Sequence, residues 1–285
     1  MLLILGFVIV LGAALGGFMM AGGNPKLLMH PSEFVSILGI STGLLVISSP
    51  GSTLKEVIHK IMNIVKGGKS NKSDFVELLR LLYEVFNTAR REGLIKLEDH
   101  IMEPQKSALF GKYKSFLADH QRVEFLCNGL KPLVDGRIKP EQVEGLMEQT
   151  LGAIEEEAGA PVHMLQLVGD SLPGIGIVAA VMGIINTMTA VSEGPEKVGE
   201  KVGAALTGTL LGVFLAYGFV NPTAARIKHN NSLDLQYFVA IMKGVSSFAQ
   251  GMAPMMAVEV ARRCIEHTLA PSAEEMEEML KNPAK

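Results

Sequence analysis

Apolar positions gather into four stretches, residues 1–25, 34–54, 171–191 and 202–225, and none has Asp, Glu, Lys, Arg or His inside it. A helix needs about 20 residues to cross a ~30 Å hydrocarbon core. Each stretch therefore predicts one membrane span, at about 1–21, 34–52, 171–191 and 202–222. The first has no basic residue before its apolar run, and that run is longer than the core of a secretion signal. A second span follows at once, so the first is read as an uncleaved helix. The spans form two hairpins, 1–54 and 170–225, separated by the charge-rich segment 55–169 and followed by a C-terminal segment, 226–285.

The polar segments carry helical periodicity. Phe75, Leu78, Leu79, Leu82, Val85 and Phe86 recur at helical spacing over 74–91, with Ser73 as the predicted N-cap and Gly93 as the stop. A second helix is expected from Pro140 to about residue 158, with Glu155, Glu156 and Glu157 at its end. After the fourth span, 232–269 reads as largely helical, Pro271 breaks it, and a tail with Glu274, Glu275, Glu277 and Glu278 follows. No run alternates convincingly as a strand. The predicted fold is an all-α integral membrane protein: four transmembrane helices in two hairpins, a large helical cytoplasmic domain between the second and third spans, and a helical C-terminal tail.

Charge sets the orientation. The first connection holds only Lys26, whereas Lys55, Lys60, Lys66, Lys69 and Lys72 follow the second span against a single Glu56. Positive charge marks the cytoplasmic side, so segment 55–169 and the C-terminal tail are expected inside and residues 22–33 and 192–201 outside. Composition agrees: the chain has 30 glycines and no tryptophan, and glycine is frequent in membrane helices. A net charge of -3, without a basic block interleaved with aromatics, gives no footprint for nucleic acid. Cys127 and Cys264 lie in polar segments and are expected as free thiols.

Gly12 with Gly16, and Gly208 with Gly212, have the small-xxx-small spacing that lets membrane helices approach closely. Packing within the chain and packing between chains both remain open for them. Asp170-Ser171-Leu172-Pro173 opens the third span, and Pro173 taken alone reads either as a first-turn proline or as a hinge at a pathway mouth. Catalytic motifs fail. Gly68-Lys69-Ser70 lacks the first glycine of a phosphate loop, since position 63 is Asn63. The glycines at 174 and 176 fit a dinucleotide fingerprint only by letter, inside an apolar span. His59, His100, His120, His163, His229 and His267 are scattered without metal spacing. No enzyme and no cofactor are expected.

Three stretches carry a resemblance: Asp170 through Gly183, Gly208 through Gly212, and Ala216 through Pro222. With Thr88 through Pro104 and the opening from Gly6 to Gly23, they closely resemble the MotA family of flagellar stator subunits, over essentially the whole chain. The chain has no ionisable group at mid-span, yet an ion path through hydrocarbon normally needs an ionisable or strongly polar group. The resemblance implies that a MotB-type partner supplies it, as an ion-carrying aspartate. It also implies a ring of five A subunits around a B dimer in the bacterial inner membrane, with both termini cytoplasmic.

By position, Pro173 and Pro222 match the family prolines that flank the ion pathway. Arg90 and Glu98 match the charged pair that engages the rotor protein FliG; read alone, they would be a solvated helix-end face. Sodium-driven relatives tend to have threonine where this chain has Ala180, while Thr209 matches a threonine of both types. One hydroxyl fewer favours H+ over Na+, since sodium must have its hydration oxygens replaced. A sodium-driven stator and an ExbB/TolQ-type energiser are the alternatives. The latter normally has three spans, which the four-span layout opposes.

Overall fold

The computed structural model describes residues 2–66, 71–189, 192 and 194–281, and every regular element among them is helical. In chain order the α-helices are α1 (Leu2–Met20), α2 (Pro31–Ser48), α3 (Gly51–Lys66), α4 (Lys72–Glu92), α5 (Glu98–Met102) and α6 (Lys114–Ala118). They continue with α7 (His120–Val134), α8 (Val143–Thr189), α9 (Pro195–Leu215), α10 (Asn221–Ala249), α11 (Pro254–Arg263) and α12 (Ala273–Lys281). The chain divides into two compact units, one of residues 1–68 and 158–229, the other of 69–157 and 230–285. Four long apolar helical segments have the length and composition to cross a membrane. The Gly68-Lys69-Ser70 motif and the end of the third predicted span, 190–191, lie outside the described residues.

In the first unit, α2 begins earlier than the apolar pattern predicts. Pro31 supplies a preset first turn, and the helix starts there rather than at residue 34, so Glu33 is drawn out of the expected connection into the helix. Ile37 of α2 then packs with Val168, Leu172, Ile175 and Ala179 of α8 and with Ala216. Amphipathic α3 buries Val57 and Ile64 against Val162, Leu165, Ala224 and Ile227.

Helices α8 and α9 meet backbone to backbone at glycines. A Cβ on Gly176 would stand 2.8 Å from the Gly208 carbonyl oxygen and 3.0 Å from Gly212 Cα. A Cβ on Gly212 would stand 2.5 Å from the Leu172 carbonyl oxygen. The Gly208–Gly212 pair is thus used inside the chain. Gly12 and Gly16 face open space, where an added Cβ meets nothing within 4 Å.

The second unit has an ordinary aqueous-type core. Phe75, Leu78, Leu79, Leu82, Val85 and Phe86 of α4 are fully buried, as their spacing predicts. Phe86 stacks on Phe248 at 4.6 Å between centroids, and Phe125 meets Phe238 edge-on at 5.2 Å. Arg122 lies over the Tyr237 ring at 4.0 Å and pairs with Asp119 at 3.0 Å, so its buried charge is matched on two sides. Burial pushes the Cys127 thiol up to about 12, which keeps it an inert, protonated core group. Cys127 and Cys264 are both free.

Three boundaries differ from the sequence reading. Asn71, not Ser73, caps α4: its side chain accepts from the Asp74 N–H at 3.2 Å, while Asp74 accepts from the Asn71 N–H at 3.0 Å. That reciprocal box satisfies two N–H groups, which a serine two residues later does not. The helix expected to end near 158 follows a 3₁₀ turn at Pro140–Gln142 and continues to Thr189 as α8, because Glu155, Glu156 and Glu157 are solvent-exposed and oppose no packing. Finally, 232–269 is interrupted: α10 stops at Ala249, and Gly251, at φ 93°, turns the chain before Pro254 starts α11.

Glu259 of α11 gives this unit an acid-sensitive contact. Its carboxylate accepts from Arg262 at 2.7 and 2.8 Å and from Arg263 at 2.8 Å. Arg262 chiefly, then Arg263, lowers it from its ordinary 4.5 to about 2. A lowered folded-state value means the stabilisation is complete above pH 4.5 and is lost as pH falls towards 2. Thermal unfolding of wild type and Glu259→Gln is therefore expected to differ most at neutral pH and to converge in acid. A gap that widens in acid would contradict this.

Candidate ion pathway and rotor-contact surface

The four pathway candidates lie on consecutive helical segments of the first unit. Pro173 sits deep inside α8 rather than in a first turn, which removes the plainer of its two readings. Lacking an N–H, it leaves the Gly169 carbonyl without its helical partner. About two α-turns beyond it on α8 is Ala180, which is buried and whose N lies 3.3 Å from where a Cβ on Gly208 of α9 would stand. Thr209 follows Gly208 on α9 and is partly buried. After α9 the backbone makes a π-turn at Ala216–Val220, and Pro222 stands just beyond it, exposed, in the first turn of α10. A π-turn beside a proline is how a continuing helix absorbs the missing donor and the ring's bulk.

The two prolines are joined through Asn221. Its Nδ2 donates to Asp170 Oδ1 at 3.3 Å. Its Oδ1 lies so close to Gly169 that a Cβ there would be 1.8 Å away. The interrupted turn of α8 is therefore in direct contact with Asn221, the residue that follows the π-turn. A cleft of about 540 Å³ opens there, lined by His163, Gln166, Leu167, Asp170 and Asn221.

In the second unit, Arg90 is in the last turn of α4 and Glu98 is the first residue of α5. Gly93, at φ 90°, reverses the chain between them, and the 3₁₀ turn Leu94–Leu97 folds back on α4 with Leu97 buried. Both charged side chains are exposed, and neither is in an ion pair among the described residues. They are free to meet an external surface. Arg91, Glu92 and Asp99 are exposed beside them.

Sequence reasoning missed one group. Glu33 is 5 % exposed and its Oε2 has no hydrogen-bond partner among the described residues. It lies against Gly208, where an added Cβ would stand 2.6 Å from Oε2, 3.3 Å from Ala180 N and 3.4 Å from Ala179 Cβ. It stands in the first turn of α2, at the end of the span, whereas the uncharged run leaves it in the connection. Proline followed two residues later by an acid is a helix-start pattern, and it was the signal that could have placed Glu33 inside α2.

This arrangement matches a known class. Residues 4–93 match the N-terminal model of motility protein A, and residues 118–238 match the MotA/TolQ/ExbB proton channel family. The chain is 33% identical to motility protein A of Escherichia coli (strain K12), covering 99% of this chain and 97% of that one. It is 32% identical to chemotaxis protein LafT of Vibrio parahaemolyticus, covering 97% of each. Its fold is like that of C. jejuni MotAB, with TM-score 0.75 and 24% identity over 93% of this chain and 95% of that one. The flagellar MotAB stator complex from Bacillus subtilis gives TM-score 0.72 at 23% identity over 96% and 98%. The chain belongs to the MotA/TolQ/ExbB proton channel family, and within it to the motility protein A group. It is a membrane-embedded flagellar stator subunit and not an enzyme.

Proposed function

We propose that this chain is the A subunit of a proton-driven torque unit in the bacterial inner membrane. Five copies ring a dimer of a MotB-type partner whose single span brings the ion-carrying aspartate. Both termini and the second unit face the cytoplasm, in keeping with the lysines that follow α2. The observation that carries this reading is the proline-marked contact between α8 and α10, which continues from the tightly packed α8–α9 hairpin bearing Ala180 and Thr209.

Protonation of the partner carboxylate removes its charge, and release inward restores it. Each cycle changes the charge facing the hairpin, and the Pro173 and Pro222 turns are where α8 and α10 can answer by bending. A proton moving down the membrane potential releases about 2.3 kcal/mol per 100 mV. Ala180 offers no hydroxyl to replace the hydration of sodium, which supports proton drive.

Arg90 and Glu98 present opposite charges to complementary residues on the rotor protein FliG. Exposed pairs of this kind are each worth below about 1 kcal/mol and steer fast, repeated association. Charge reversal, Arg90→Glu or Glu98→Lys, is expected to lower torque several-fold while leaving the amount of chain in the membrane unchanged. Tethered-cell speed with membrane immunoblots tests this. Variants that fail to assemble would make the pair structural and overturn the assignment.

A further inference from the structure

We propose that Glu33 is a proton-holding site in the wall of the ion path, loaded from the outward side; this rests on the stator reading above. Three observations of packing converge on it. The carboxyl is almost wholly enclosed, at 5 % exposure, and Oε2 is unpartnered among the described residues. An ionised carboxylate with no donor in such a place costs several kcal/mol, and a proton on the oxygen removes that charge. The opposing helix is hollowed to receive it: Gly208 is the residue it meets, and even a methyl group there would stand 2.6 Å from Oε2. The contact is also level with the pathway candidates, since the same point on Gly208 is 3.3 Å from Ala180 N and Thr209 is the next residue along.

A cleft opens beside it, between the residues that precede Glu33 on α2 and Gly208 on α9. It measures about 510 Å³ and is lined by Leu28, His30, Glu200, Gly203 and Thr207, among others. His30 caps the N-terminus of α2 one turn before Glu33 and makes no side-chain cap hydrogen bond. Thr207 precedes Gly208. Where Glu33 meets Gly208 of α9, the other adjoining atoms belong to Ala179 and Ala180 of α8, none of them titratable. His30 is the titratable side chain that acts on it electrostatically, and Glu200 of α9 lines the cleft.

The step balances simply. An outside proton forms an O–H bond at the Glu33 carboxylate. That bond breaks when the proton passes to the partner span's carboxylate, and Glu33 is left ionised to reload. A purely structural carboxyl would do neither.

The test uses the full A–B complex with Glu33→Gln and Glu33→Asp, because glutamine keeps the shape and cannot hand over a proton. Rotation is followed against external pH in a stator-less host. Difference infrared spectra of the purified complex are recorded in H2O and D2O to find a protonated-carboxyl stretch. Glu33→Gln is expected to lose that band and to rotate at least about fivefold slower at high external pH, with a smaller loss in acid. Glu33→Asp is expected to keep a shifted band and recover most of the speed. Wild-type rotation in Glu33→Gln at every pH, or an unchanged infrared band, overturns the proposal. If wild type itself fails to rotate, the stator reading fails, and the band alone then decides whether Glu33 holds a proton.

Discussion

Replacing Gly212 by alanine is expected to abolish swimming and to lower the amount of chain in the membrane several-fold. The new Cβ would stand 2.5 Å from the Leu172 carbonyl oxygen, 2.8 Å from Gly176 Cα and 3.1 Å from Gly176 N. All three are backbone atoms, so no flexible side chain can give way, and α8 and α9 must separate. In lipid the helices gain nothing by hiding apolar surface from each other, and close contact is what holds them. Overpacking of this kind costs about 3 kcal/mol, a large part of a typical margin of stability. Gly152→Ala on α8 is the matched control. Its Cβ meets nothing within 4 Å, and alanine there is expected to add up to about 1 kcal/mol of helix stability with normal motility. Soft-agar spreading and membrane immunoblots decide the matter, and a Gly212→Ala strain that swims normally would refute the packing argument.

The second large effect is expected at Pro222. Alanine there restores an N–H that can bond to the Gly218 carbonyl, and it favours a regular helix by about 3 kcal/mol over proline. The π-turn at Ala216–Val220 holds one residue more than an α-turn would. Closing it rotates everything beyond by about 100° about the helix axis. Asn221 would leave Gly169 and Asp170, and the contact between the two proline-marked turns would be lost. Pro222→Ala is therefore expected to reach the membrane at wild-type level yet rotate at least about tenfold slower. Undiminished tethered-cell speed would show that the π-turn plays no part in coupling.

Much of this was legible because hydrocarbon and water impose different patterns. Uncharged runs located the spans, and the apolar spacing from Phe75 to Phe86 located the core face of α4, since each pattern follows from burial alone. What escaped depends on contacts distant in sequence. Gly208 and Gly212 announced close packing, but their partners, Gly176 and Leu172, are set by how α8 meets α9. The π-turn has no sequence signature beyond the proline after it. Reading the second span from its uncharged run excluded Glu33 for being charged, although a carboxyl facing a glycine can be enclosed. Capping was misread by two residues because serine and asparagine compete for the same role, and only Asn71 is placed to exchange bonds with Asp74. Arg90 and Glu98 carry no local signal apart from resemblance, since an exposed charge at a helix end is common.

The central claim is that ion flow past the α8–α9 hairpin becomes torque, and the most direct measurement is rotation itself. Tethered cells of a stator-less host would be given this chain with its B partner, and speed followed in sodium-free medium and then after sodium is added. Steady rotation without sodium, unchanged by adding it, is the predicted result. Rotation only with sodium would keep the stator and overturn proton drive. No rotation in either medium, with both chains present in the membrane, would contradict the account.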